Sequence, residues 1–249
     1  MTVGTTPGGS TPGPQFAAKP GPTNLDLILI AALSGTAGAA DVIVFLGLGG
    51  LLVAHITGNL VLLAAHYLTG SYGQIGTILS VPMFVLVLAL VTGTFSGKDR
   101  RTTLRILLIL HFLPLTASLA IAAIFGPFTN PDAAIAVCCG MVAVAAMATQ
   151  SAMVKLDLPG FPSTVVLTTN TVQLTIDVAT LLRGNGTPDE LAKAKKRARV
   201  TFPSVGGFIL GCTAGAILES HFGLWSLILP VSTAALAILL GELWAKAHV

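Results

Sequence analysis

The chain has 249 residues, of which 53% are hydrophobic and only 9% charged, with a mean hydropathy of +0.86. A soluble domain carries about 25% charged residues, so the composition excludes an ordinary soluble enzyme and points to an integral membrane protein. The net charge of +3, from 13 Lys and Arg against 10 Asp and Glu, is gathered in loops as topology signals are, and it argues against a nucleic-acid partner.

Residues 1–24 are rich in Gly, Pro, Thr and Ser and predict a disordered tail, without the basic and apolar regions of a cleaved signal. A first membrane half follows over 25–125, with apolar segments Leu25–Gly47, Leu51–Leu68, Gly76–Phe95 and Leu104–Phe125. After a linker at 126–132, a second half over 133–245 holds Ala133–Val154, Thr164–Leu182, Val200–Leu218 and Gly223–Ala245. The fold class expected is therefore an all-α polytopic bundle of two repeated halves, with about eight hydrophobic segments and six to eight true spans. Segments Leu25 to Leu68 cannot be one crossing, since as a helix they would reach ~66 Å, twice a hydrocarbon core of ~30 Å. Thr164–Leu182 is rich in Thr, Asn, Gln and Asp, so it must be buried among helices or lie beside water.

The repeat rests on a shift of 111 positions, which sets Gly49, Thr57, Asn59, Val61 and Leu63 on Gly160, Thr168, Asn170, Val172 and Leu174. Four crossings per half would make the repeats parallel, and a re-entrant segment in each would invert them. In an eight-span arrangement Lys19, Arg183, Lys193, Lys195, Lys196, Arg197, Arg199 and Lys246 share one side, and Lys98, Arg100, Arg101, Arg105 and Lys155 the other. That favours cytoplasmic termini only weakly. The basic loop 183–199 carries Thr187 and Glu190 at capping-box spacing and predicts a short surface helix.

Ionisable and amide side chains inside apolar sequence mark functional sites. Asp41 and His55 form the pair suited to proton coupling, while Thr57, Asn59, Thr168, Asn170 and Gln173 offer neutral donors and acceptors to a solute. Asp177 extends the row of Thr169 and Gln173, and Gly58 is a point for local unwinding. If the second segment is helical, His55, Asn59 and His66 form one polar seam, and a facing seam in the sixth segment completes a shared path. The rival reading makes the amides and hydroxyls interhelical glue. No compact metal-ligand spacing and neither GxSxG nor HExxH is present, so no metal, cofactor or enzymatic role is expected. Cys138, Cys139 and Cys212 read as packing residues.

The motifs Gly38 with Asp41, Phe45 to Gly50, and His55 to Asn59 resemble those of the YoaK family of bacterial polytopic membrane proteins of unknown function. Gln150-Ser151-Ala152, Pro162-Ser163-Thr164 and Thr168-Thr169-Asn170 are similar second-half counterparts, although Thr169 stands where that family commonly has glycine. The resemblance implies a multi-pass protein of the bacterial inner membrane. The function expected is a small secondary transporter or exporter of a small polar or anionic solute, working by alternating access with proton coupling. A channel-like pore and a non-transporting accessory protein are the alternatives. The partners expected are that solute or an ion and the lipid bilayer, with homo-oligomerisation open.

Overall fold

The computed structural model describes residues 23–70, 73–158, 161–165 and 167–247; the expected tail lies almost wholly outside them. Eight α-helices appear among the described residues: α1 Asn24–Gly47, α2 Ile56–Thr69, α3 Gln74–Phe95, α4 Arg100–Phe125, α5 Ala134–Asp157, α6 Leu167–Arg183, α7 Pro188–Phe222 and α8 Ile228–Ala247. A 3-10 turn, Gly223–Leu227, joins the last two. Five helical stretches are long and apolar enough to cross a membrane, the fifth being α7, the 3-10 turn and α8 taken together. This is an all-helical, multi-pass membrane architecture.

Caps and small residues explain where the helices begin and how closely they pack. Thr23 and Asp26 form a reciprocal capping box at α1, and Thr187 and Glu190 form the predicted one at α7. The Thr187 backbone N–H holds the Glu190 carboxyl below its ordinary value, as the Thr102 N–H does for Asp99 at the start of α4. The expected short surface helix is corrected in length: its residues run without a break into the following span, giving one α7 of 35 residues.

α1 lies between α7 and α8. Ser34 meets Ser204, Gly35 meets Gly207 and Gly211, and Gly215 meets Ala39, so α1 and α7 run in parallel along a seam of glycines. A Cβ at Gly211 would stand 2.2 Å from the Gly35 carbonyl oxygen, which only glycine avoids. α8 runs the other way, with Trp244 bonded to Asp26 and Leu224 against Gly47.

The path between α1 and α3 is re-entrant. α1 ends at Gly47, and Gly73, where α3 begins, lies against Gly49. Between them Leu48 to His55 runs back into the bundle without helical structure, and α2 returns the chain to the end it left. The second segment is therefore helical only from Ile56, not from Leu51. In the other half α5 ends at Asp157 beside Arg100, the chain passes inward through Ser163 and Thr164, and α6 returns it to the same end, where Asp177 pairs with Arg197.

Re-entrance corrects the expected charge distribution. α3 ends and α4 begins at the end that holds the start of α1, so Lys98, Arg100, Arg101 and Arg105 join Lys155, Arg183, the α7 basic cluster and Lys246. Every described Lys and Arg sits at this end, and Lys19 lies outside the described residues. The opposite end carries Asp132, which accepts from the Gly73 and Ile75 N–H groups, and Glu219.

In a cysteine-free background, single cysteines at Lys98 and Arg183 will label from the same side of sealed vesicles, with Asp132→Cys labelling from the other. An eight-span path puts Lys98 and Arg183 on opposite sides. Gly211→Val will destabilise the detergent-solubilised protein by about 1–3 kcal/mol, seen as a fall in thermal midpoint. Gly206→Ala, at a position open around its Cβ, will leave the midpoint in place.

Candidate functional site

Non-helical backbone inside a membrane bundle must find partners for its N–H and C=O groups. Asp41, two turns from the end of α1 and only 4% exposed, meets this need for the first broken stretch. Its Oδ1 accepts from the N–H groups of Val53 and Ala54, both at 2.7 Å, and its Oδ2 lies 2.6 Å from His55 Nδ1. A carboxylate so close to Nδ1 places the ring proton there and leaves Nε2 as the titrating atom. The His55 side chain is 32% exposed and packs edge-on against Phe208 of α7, ring centroids 5.2 Å apart. Cys212, on the next turn of α7, donates its thiol to the Gly38 carbonyl.

Asn59 is fully buried in the first turns of α2. It accepts from the Leu52 N–H at 2.9 Å, and its Nδ2 donates to the Leu52 carbonyl at 2.7 Å and the Ser80 hydroxyl at 2.8 Å. Asn170 repeats the arrangement in α6, donating to the Ser163 carbonyl at 2.5 Å and the Ser204 hydroxyl at 3.2 Å. Each asparagine thus clips its helix to the backbone seven residues upstream and to a serine on the next helix. Gln150 of α5 donates to the Leu33 carbonyl and to Thr164, anchoring the second broken stretch where Asp41 anchors the first.

A cavity of about 380 Å³ opens at the basic end between α6 and α7. Thr169, Asn170, Gln173, Lys196, Arg197 and Thr201 supply its polar wall. Asp177, wholly buried, holds Arg197 at 2.6 Å and accepts from Gln173. Among the described residues no three His, Cys, Asp or Glu side chains are grouped as metal ligands.

The family profile that describes a protein of unknown function, DUF1275, matches residues 29–240. The chain belongs to the DUF1275 family. No curated protein and no solved structure matches it. The match to DUF1275 takes in both broken stretches and the residues that anchor them.

Within this DUF1275 chain the sequence-predicted residues fall into separate groups. Asp41 and His55 are brought together, and Asn170 and Gln173 line one cavity beside Asp177. Asn59 faces the Leu48–His55 stretch and α3, while Thr57 and Thr168 are exposed. The single polar seam of His55, Asn59 and His66 does not form, because His55 precedes the helix and its ring turns to α1. The two expected seams do not share a cavity. Gly58 is helical, donating its N–H to the His55 carbonyl, so the unwinding lies upstream at Leu48–His55. Ala152, at the position of Asp41 in the 111-residue register, is a buried residue of α5, and Val166 lies outside the described residues. Ser80, Ser204, Lys196 and Arg197 were not singled out as site residues. The serines' proximity to Pro82 and Pro203 in the two proline-bearing spans was the available signal.

Asp41→Asn keeps an acceptor for the Val53 and Ala54 N–H groups and will fold with a small loss of thermal midpoint. Asp41→Ala leaves both groups unpaired, at about 1–3 kcal/mol each, and Asn59→Leu strands both backbone groups of Leu52. Both variants will show the larger losses in thermal unfolding.

Proposed function

We propose that the protein is a secondary transporter of a small polar or anionic solute, built from two inverted repeats and working by alternating access. The observation that carries this reading is the pair of broken segments. Two half-helices begin inside the bundle at corresponding positions, with Asn59 and Asn170, 111 residues apart, each donating to the carbonyl seven residues upstream and to a serine of the next helix. Packing is reciprocal under exchange of halves: α1 with α7 and α8 corresponds to α5 with α3 and α4, and α2 with α3 to α6 with α7. Three crossings and one re-entrant helix per half invert the second half relative to the first. Half-helices at a repeat interface are the arrangement by which secondary transporters expose backbone dipoles to a solute.

The basic end is read as cytoplasmic by the excess of Lys and Arg there, with both termini inside. On this reading, and in keeping with the YoaK resemblance, the protein resides in the bacterial inner membrane. The α6/α7 cavity then faces the cytoplasm. Asp41 and His55 serve as the coupling pair: a proton taken up at His55 Nε2 turns a neutral imidazole beside a carboxylate into an ion pair. That changes the interaction holding Leu48–His55 to α1, and His55 also touches α7 through Phe208. Protonation is thereby connected to the α1/α7 seam.

Proteoliposome flux across a panel of small polar and anionic solutes tests the proposal. Saturable uptake driven by a pH gradient is expected. Asp41→Asn and His55→Ala will abolish gradient-driven accumulation while sparing membrane insertion. Normal coupled uptake in both variants refutes proton coupling, non-saturating flux makes the protein a pore, and absence of flux across the panel favours an accessory role.

A further inference from the structure

The cavity between α6 and α7 has features of a built site. Asn170 is 6% exposed and Thr201 5% exposed, and both line it. Asn170 spends its Nδ2 on Ser163 and Ser204, leaving Oδ1 without a hydrogen-bond partner among the described residues. The Thr201 hydroxyl likewise has none there, although a helical threonine commonly returns its proton to the carbonyl four residues back, as Thr149 does. Two largely buried residues therefore leave free hydrogen-bonding atoms at the accessible wall of one space, where a ligand can engage them.

The electrostatics of the same space favour a negative group. Lys196 forms no ion pair among the described residues, and Arg197 is paired with Asp177, leaving one uncompensated positive charge on the wall. Thr169 and Asn170 lie in the first turn of α6, where backbone N–H groups have no intrahelical acceptor and the helix dipole is positive. Phe161 and Val200 supply an apolar side. A volume of about 380 Å³ is at the small end of ligand pockets, which span roughly 300–1,000 Å³.

We propose that this cavity binds a small carboxylate-bearing solute that also carries an O–H or N–H donor, an α-hydroxy or α-amino carboxylate being the simplest case. The carboxylate engages Lys196 and the α6 N-terminus, and the donor engages Asn170 Oδ1, with the Thr201 hydroxyl between them. As the substrate class of a carrier this rests on the transport reading above; as a binding site it is tested separately. An anionic lipid headgroup shares the negative charge, so the test separates the two sources.

The full chain in phosphatidylcholine nanodiscs is titrated with radiolabelled L-lactate and L-serine by scintillation proximity, with propionate and lactamide as competitors. L-lactate or L-serine is expected to bind saturably, with propionate at least tenfold weaker and lactamide ineffective. Lys196→Gln should weaken binding at least tenfold. Thr201→Val, nearly isosteric, should weaken lactate or serine while leaving propionate unchanged, a split that general damage to the fold would not produce. Thermal midpoints of both variants identify any unfolding. Absence of binding by both ligands, equal competition by lactamide, or unchanged affinity in folded Lys196→Gln overturns the proposal. Protection of the site by phosphatidylglycerol alone, with no lactate or serine binding, makes it a lipid site and also overturns it. Binding without flux refutes the transport reading and leaves the site standing, whereas saturable flux of other solutes without lactate or serine binding does the reverse.

Discussion

A chain that leaves helical geometry inside a bilayer-spanning bundle exposes peptide groups that water cannot reach, and satisfying them is the constraint on which the rest depends. In the first broken stretch Asp41 takes the Val53 and Ala54 N–H groups and Asn59 takes both groups of Leu52. In the second, Asn170 takes the Ser163 carbonyl and Gln150 secures Thr164. With these clips in place α2 and α6 start inside the bundle and return to the end they came from. Without them either segment would have to continue as a full span, reversing the side on which every later loop lies.

The same clips require unusually close helices, which is where the small residues matter. Ser34 and Ser204 share a hydrogen bond of 3.0 Å only because Gly35, Gly207 and Gly211 let the α1 and α7 backbones touch. Seven residues further along α1, ~10 Å at helical rise, Asp41 holds His55, whose ring packs against Phe208 of α7. The second stretch reaches that seam through Asn170 and Ser204, and the first through His55. Both irregular segments thus bear on one helix pair, so a shift of α7 along α1 changes the surroundings of each.

Much of the helical framework was legible in the sequence, because apolar runs, Gly-rich breaks and the Thr187/Glu190 spacing are local signals. That Asn59 and Asn170 would carry bonds was legible too, since polar residues stand out against an apolar background. The path of the chain was not. Hydropathy reports that Leu51–Leu68 is apolar, but a non-helical stretch folding back beside α1 and a helix crossing the bilayer bury equally apolar side chains. The difference resides in long-range bonds such as Asp41 to Val53. The His55–Asn59–His66 seam failed for the same reason: a helical period was applied to a residue that is not helical. The position of Lys196 and Arg197 was hidden because basic loops usually serve topology, and only the continuity of α7 brings them to the wall of a cavity.

The two broken stretches differ in the kind of bond that holds each. Asn170, Gln150 and Ser204 are neutral, and a serine hydroxyl rotates to a new acceptor at little cost, so the second stretch can exchange partners without exposing charge. Asp41 is held by two backbone N–H groups and an imidazole, and withdrawing any of these leaves a carboxylate undercompensated in a poorly hydrated interior. Asn59 and Asn170 supply neutral bonds to both stretches, whereas the carboxylate anchor is found at the first. On the proposed coupling, a proton taken up at His55 changes the charge beside this anchor while Asp41 keeps its acceptors for Val53 and Ala54. The charged anchor therefore sits at the first stretch, away from the α6/α7 cavity, while the neutral second stretch lines that cavity.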